Sequence, residues 1–111
     1  MEYYIKKHSK KHLEELGFSK SFLFSNDDEE YYWYRFPVYK YTEFIIFECE
    51  VLCNVRTGEI FIDVFDYKTR NKYASWYYPG LGFSASNKVI DIINKKIDKK
   101  CKEFGIKSKD E

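Results

Sequence analysis

The chain has 111 residues, a net charge of +1 and 33% charged residues. That length suits one domain able to close a core without metal or disulfide staples, so the whole span 1–111 reads as a single domain. The near-neutral balance leaves no global field to favour nucleic acid or an anionic membrane surface.

Locally the charge is uneven. Residues 1–20 carry five Lys against three Glu, residues 21–67 three basic against ten acidic groups, and residues 68–111 eleven against five. Basic ends therefore flank an acidic middle. Aromatics make up 21% of the chain, and seven of them fall between Tyr31 and Tyr41. Such density supplies more apolar area than one small core needs. Part of it has a bland source, since Lys, Ile, Asn, Tyr and Phe, all with AT-rich codons, account for 52 residues. Cys49, Cys53 and Cys101 are odd in number and lack a disulfide spacing, which suits a reducing, cytoplasmic setting. No apolar run approaches a signal peptide or a membrane span.

In chain order, Ile5, His8 or His12, Leu13 and Leu16 can share one helix face, and Gly17 followed by Phe18 closes it. Phe22–Phe24 and Tyr31–Tyr39 read as a hairpin turned at Asn26–Glu29, with Pro37 marking an edge or a bulge. From Ile45 to Val55 the period is two, with Phe47, Cys49, Val51 and Cys53 on one apolar face. After Thr57-Gly58, Ile60, Ile62 and Val64 line a second strand. Pairing Val55 with Ile60 makes the two apolar faces coincide, and a one-residue slip would bury Asp63. Tyr73–Tyr78 reads as a last strand stopped by Pro79-Gly80. Ser84 or Ser86 then caps a helix whose stripe is Ile90, Ile93, Ile97, Cys101 and Phe104, ended by Gly105 and Ile106. The tail from Lys107 onward reads as frayed. The expected fold is α+β: an antiparallel meander of four to five strands with an N-terminal and a C-terminal helix on one face.

Two helices covering one face leave Phe44, Ile46, Glu48, Glu50, Leu52, Phe61, Asp63, Phe65 and Tyr67 on the other. Six of these nine are apolar, enough to mark an interface if uncovered, unless the N-terminal hairpin folds across them.

Motifs for chemistry weigh less. Gly80-Leu81-Gly82-Phe83-Ser84-Ala85 fits a dinucleotide fingerprint, but no parallel strand follows its helix, so no cofactor is expected. His8 and His12 stand at helical spacing without a third ligand. Cys49 and Cys53 lie about 13 Å apart along a strand, too far for one zinc. No metal is expected. Glu48, Glu50 and Asp63 share a face, yet no nucleophile or base is tied to them, so an acidic surface is favoured over a catalytic one. Cys101 sits on an apolar stripe, which argues burial rather than reactivity.

By its brevity, its AT-rich residue usage and its helix–meander–helix order, the whole chain resembles the short uncharacterised proteins of phages and mobile elements in AT-rich bacteria. That class includes anti-CRISPR and other anti-defence inhibitors and toxin-neutralising immunity proteins. The resemblance is one of style, so no functional residue carries over. It implies stoichiometric binding. The expectation is therefore a non-enzymatic binding domain whose Glu48, Glu50, Phe61, Asp63, Phe65 and Tyr67 dock on a basic protein such as a nuclease, rings anchoring and carboxylates steering. A homodimer through the same face is a variant. The alternative is nucleic-acid binding through Lys95, Lys96, Lys99, Lys100 and Lys102 on the last helix.

Overall fold

The computed structural model describes residues 2–78 and 84–109, with side chains in the last helix from Asn87 onward. The elements run β1 (Tyr3–Ile5), α1 (Lys10–Glu15), β2 (Ser19–Ser21), β3 (Tyr31–Lys40), β4 (Ile46–Asn54), β5 (Glu59–Asp66), α2 (Ala74–Tyr77), α3 (Ser84–Phe104) and β6 (Ile106–Ser108). The fold is α+β. All six strands join one antiparallel sheet in the order β2-β3-β4-β5-β1-β6.

The meander β3-β4-β5 carries the predicted two-residue period. Tyr32, Tyr34 and Phe36 of β3 stand opposite Cys53, Val51 and Cys49 of β4. The last two then face Ile62 and Val64 of β5. This inner face meets Ile93, Ile97 and Cys101 of α3 and Leu13 of α1 in one buried cluster. Burying such side chains contributes roughly 1.5–3 kcal/mol each. The α3 stripe is as expected, except that Val89 rather than Ile90 is its buried N-terminal member.

Both predicted glycine stops occur. Gly17 has φ +100°, and the Phe18 N–H reaches back to the Leu13 carbonyl at 2.9 Å, closing α1 as a six-residue motif. Gly105 has φ +76° at the end of α3. The register also shifts between Pro37 and Tyr39, where the bulge was expected. It leaves Val38 fully buried and Tyr39 against the core.

Four expectations need correction. Ile5 belongs to a strand and not to the first helix, because β1 finds partners on both sides: Tyr3 lies opposite Ile60 and Ser108. The tail from Ile106 is likewise a strand, so the sheet has six strands and not four or five. The β4–β5 pairing is Cys53 to Ile60, two residues from the expected register. Here the buried Asn54 accepts from the Arg56 and Thr57 N–H groups (2.9 and 3.3 Å) and organises a longer turn over 55–58. A two-residue shift keeps every side chain on its face, so the apolar pattern could not exclude it. Finally, Phe22–Phe24 and Tyr73–Tyr78 are not strands. The first is a turn after β2. The second contains α2, which lets Tyr73 stack on Phe47 (4.1 Å), Trp76 Nε1 donate to Asn94 Oδ1 (2.9 Å) and Tyr77 turn to β5. The predicted stop at Pro79-Gly80, the Gly-rich stretch through Phe83 and the side chains of Ser84 and Ser86 lie outside the described residues.

Candidate docking face

The outer side of the sheet is built in cross-strand rows. Trp33, Leu52 and Phe61 form one row, Arg35, Glu50 and Asp63 the next, and Pro37, Glu48 and Phe65 the third. The corrected register makes Glu50 and Asp63 direct partners. Two carboxylates directly opposite each other destabilise a sheet pair.

The chain answers that repulsion with its own cations. Arg35 Nε donates to Glu50 Oε2 at 2.7 Å. Arg70 lies 3.6 Å from Glu48 Oε1 and 3.8 Å from Glu50 Oε2. Asp63 Oδ1 accepts from the Tyr77 hydroxyl at 2.6 Å and has Lys72 Nζ at 3.5 Å. The Tyr77 hydroxyl also accepts from the Val64 N–H at 3.1 Å, so one side chain completes the β5 edge and clamps an acidic group. Burial, reinforced by that bond to Asp63, pushes the Tyr77 phenol up from its ordinary value.

Rings and guanidinium groups alternate above the rows. Arg35 stands 4.5 Å over Trp33, and Arg70 stands 3.9 Å over Phe65. Arg70 has φ +63°, in the left-handed region. The turn that places it there is held by Asp66, whose Oδ1 accepts from the Lys68 and Thr69 N–H groups at 2.8 and 3.0 Å. The Thr69 amide, the largest influence, and the Lys68 amide hold the Asp66 carboxyl below its usual range.

The structure thus separates the six residues expected to form one acidic and aromatic surface. Phe61 and Tyr67 are 42% and 53% exposed. Phe65 is only 6% exposed, roofed by Arg70. Glu48, Glu50 and Asp63 are on the outer face, but each has a cationic partner and little of their charge is left for steering.

Residues missed by sequence reasoning lie beside them. The turn Phe22-Leu23-Phe24 rises against Trp33, Arg35 and Glu50 and encloses a cleft of about 370 Å³. The run of three apolar residues is plain in the sequence, but three apolar residues in a row suit a short strand as well as a turn.

On the opposite layer, Lys95, Lys96, Lys99 and Lys102 are exposed on α3. Lys100 is different. Its ammonium sits 5.6, 5.5 and 5.6 Å from the rings of Tyr34, Phe36 and Phe104 and pairs with Glu103 at 3.2 Å. It seals the aromatic end of the core.

The remaining candidates for chemistry are tied up in the fold. His8 precedes α1, so the expected helical spacing with His12 is not formed, and its Nδ1 meets the Val55 carbonyl at 2.5 Å. All three thiols are buried. Burial pushes the Cys53 thiol up to about 12, and burial with the nearby Asp98 charge pushes Cys101 up to about 11. Among the described residues no group of three or more His, Cys, Asp or Glu is arranged to hold a metal ion. No helix among them is long and apolar enough to cross a membrane.

The chain matches no protein-family model, no curated protein and no solved structure.

Proposed function

We propose that the protein is a non-enzymatic binding domain that docks a partner protein on the outer face of its sheet. The observation that carries this reading is the sidedness of the fold. Leu13 of α1 and the apolar stripe of α3 pack on the inner face, while Phe61 and Tyr67 are left exposed on the other. Exposed aromatics on a sheet face that no helix covers are candidates for association.

The two outermost strands are poor candidates by comparison. Both edge strands, β2 and β6, have three residues with a lysine at the centre, Lys20 and Lys107. Short lysine-bearing edges oppose strand addition from another chain. A stoichiometric inhibitor of a nuclease or another defence protein, the class that the chain's style resembles, is the specific form of this reading.

Affinity capture from the native host, with mass spectrometry, tests it. The full chain should retain a defined protein that Phe61→Ser with Tyr67→Ser loses and that Lys95→Ser with Lys99→Ser keeps. The reverse pattern would assign binding to α3.

A second reading rests on that helix. Lys95, Lys96, Lys99 and Lys102 are exposed and make no ion pair among the described residues. Such a stripe can grip a phosphate backbone. Retention on an oligonucleotide column that weakens with salt and is lost with Lys95→Glu and Lys99→Glu would support nucleic-acid binding.

A further inference from the structure

We propose that the connection from β2 to β3 anchors the docking face, and that its occupant is a basic segment of a partner protein bearing at least one large apolar side chain. The inference rests on the docking-face reading and names where and what that face binds.

The backbone of this connection is held by polar groups of its own. The buried Ser21 accepts the Phe24 N–H on its hydroxyl (3.2 Å) and the Ser25 N–H on its carbonyl (3.2 Å). Ser25 Oγ accepts the Tyr31 N–H at 2.9 Å. Asn26 Oδ1 accepts from both Asp28 and Glu29 N–H at 2.8 Å, and the Asn26 N–H returns to the Glu29 carbonyl at 2.8 Å. This ordering draws on no apolar burial by the turn's tip. Phe22 and Leu23 are 84% and 85% exposed.

Two large apolar side chains are therefore held out to water on a pre-shaped turn. Pre-shaping lowers the ordering cost of association and is the property expected of an anchor. The turn is also one wall of the 370 Å³ cleft, with Trp33 and Arg35 opposite. That volume lies within the range of small recognition pockets and admits a large apolar side chain.

Charge selects the occupant. Glu30 is taken by Lys10 at 2.9 Å, and Glu29 accepts from the Tyr31 hydroxyl at 2.9 Å. Asp27 and Asp28 are exposed and make no ion pair among the described residues. Unlike Glu48, Glu50 and Asp63, these carboxylates keep their charge available on the same connection as the apolar tip. Lys20, the one cation between Ser19 and Glu30, stands 5.6 Å from the Phe22 ring, and Arg35 in the cleft is paired with Glu50, so Asp27, Asp28 and Glu29 leave the connection net acidic. A phosphate backbone would be repelled here, whereas lysine or arginine flanking an apolar side chain is complementary to both features.

The test is selection of a displayed random peptide library on the immobilised full chain, followed by fluorescence anisotropy of the enriched peptides. Supporting results are enriched peptides that combine Lys or Arg with Leu, Phe or Trp and bind Phe22→Ser/Leu23→Ser about tenfold or more weakly. Asp27→Asn/Asp28→Asn should weaken the same peptides several-fold and flatten their salt dependence. Both double variants should keep the wild-type thermal midpoint, because all four side chains are exposed. Enriched peptides that are acidic, or that ignore Phe22→Ser/Leu23→Ser, overturn the proposal. If they instead depend on Phe61 and Tyr67, the docking face stands and only its anchor falls. Light scattering that shows a dimer dissolved by Phe22→Ser/Leu23→Ser overturns the proposed occupant in favour of a second copy. No enriched peptide, together with oligonucleotide retention through α3, overturns both readings.

Discussion

Glu50 and Asp63 are direct cross-strand neighbours on the outer face, and the fold spends Arg35, Arg70, Lys72 and Tyr77 on holding them there. The result is a face whose carboxylates are charge-paired and whose free apolar area lies around them. Arg70 is the most committed of these groups. It accepts a left-handed backbone while its guanidinium covers Phe65 and reaches Glu48 and Glu50.

Arg70→Ala should therefore destabilise the fold by about 1–2 kcal/mol, read from the urea midpoint. The ion pairs of this half-exposed side chain are discounted for solvent screening, and the lost cover on Phe65 supplies the rest. Arg70→Lys should recover less than half of the loss, because an ammonium lacks the flat stacking surface. Glu50→Gln should cost less than Arg70→Ala, since it also removes the repulsion with Asp63.

Tyr77→Phe should cost about 1–2 kcal/mol, because it removes the acceptor for the Val64 N–H and the donor to Asp63 together. Hydrogen exchange gives the sharper reading. The Val64 amide should lose protection in this variant while the amides of β4 at the centre of the sheet keep theirs.

Two glycines with similar φ should respond differently to alanine. At Gly58 (φ +77°) a Cβ would stand 2.5 Å from the Ile5 carbonyl oxygen and 2.7 Å from His8 Cδ2. Backbone strain and overlap add, and Gly58→Ala should cost about 3 kcal/mol. At Gly105 (φ +76°) nothing lies within 4 Å, so Gly105→Ala should cost about 1 kcal/mol from the backbone alone. Paired denaturant titrations separate the two.

Alkaline pH should weaken the fold. Burial raises the thiols of Cys49, Cys53 and Cys101 and the phenol of Tyr77, so the native state keeps protons that the unfolded chain releases. Their contribution is complete below the ordinary thiol value of 9.0 and falls as pH rises toward the Cys101 value of about 11. Urea midpoints should be level from pH 7 to 8 and decline beyond 9. In the same range a thiol reagent should label the cysteines only at the rate of unfolding.

Local pattern determined much of this protein. The two-residue period sorted Phe47, Cys49, Val51, Ile62 and Val64 onto one face, the helical spacing of Ile93, Ile97 and Cys101 set the buried stripe of α3, and Gly17 and Gly105 closed the helices. Each of these depends on neighbours within a turn or along one strand, where side-chain direction follows directly from spacing.

Tertiary structure alone decided the rest. Tyr3–Ile5 and Ile106–Ser108 become strands because they meet each other and β5, and no local period encodes a partner a hundred residues away. The β4–β5 register moved by two residues, a change invisible to face assignment, and thereby set Glu50 against Asp63. Whether a carboxylate stays free depends on which cations the fold carries to it. Arg35, Arg70 and Lys72 arrive from a neighbouring strand and from the turn after β5 and pair off Glu48, Glu50 and Asp63, while Phe61, Tyr67, Phe22, Leu23, Asp27 and Asp28 stay exposed. Spacing along the chain assigns a side chain to a face, but only the assembled sheet determines what stands opposite it.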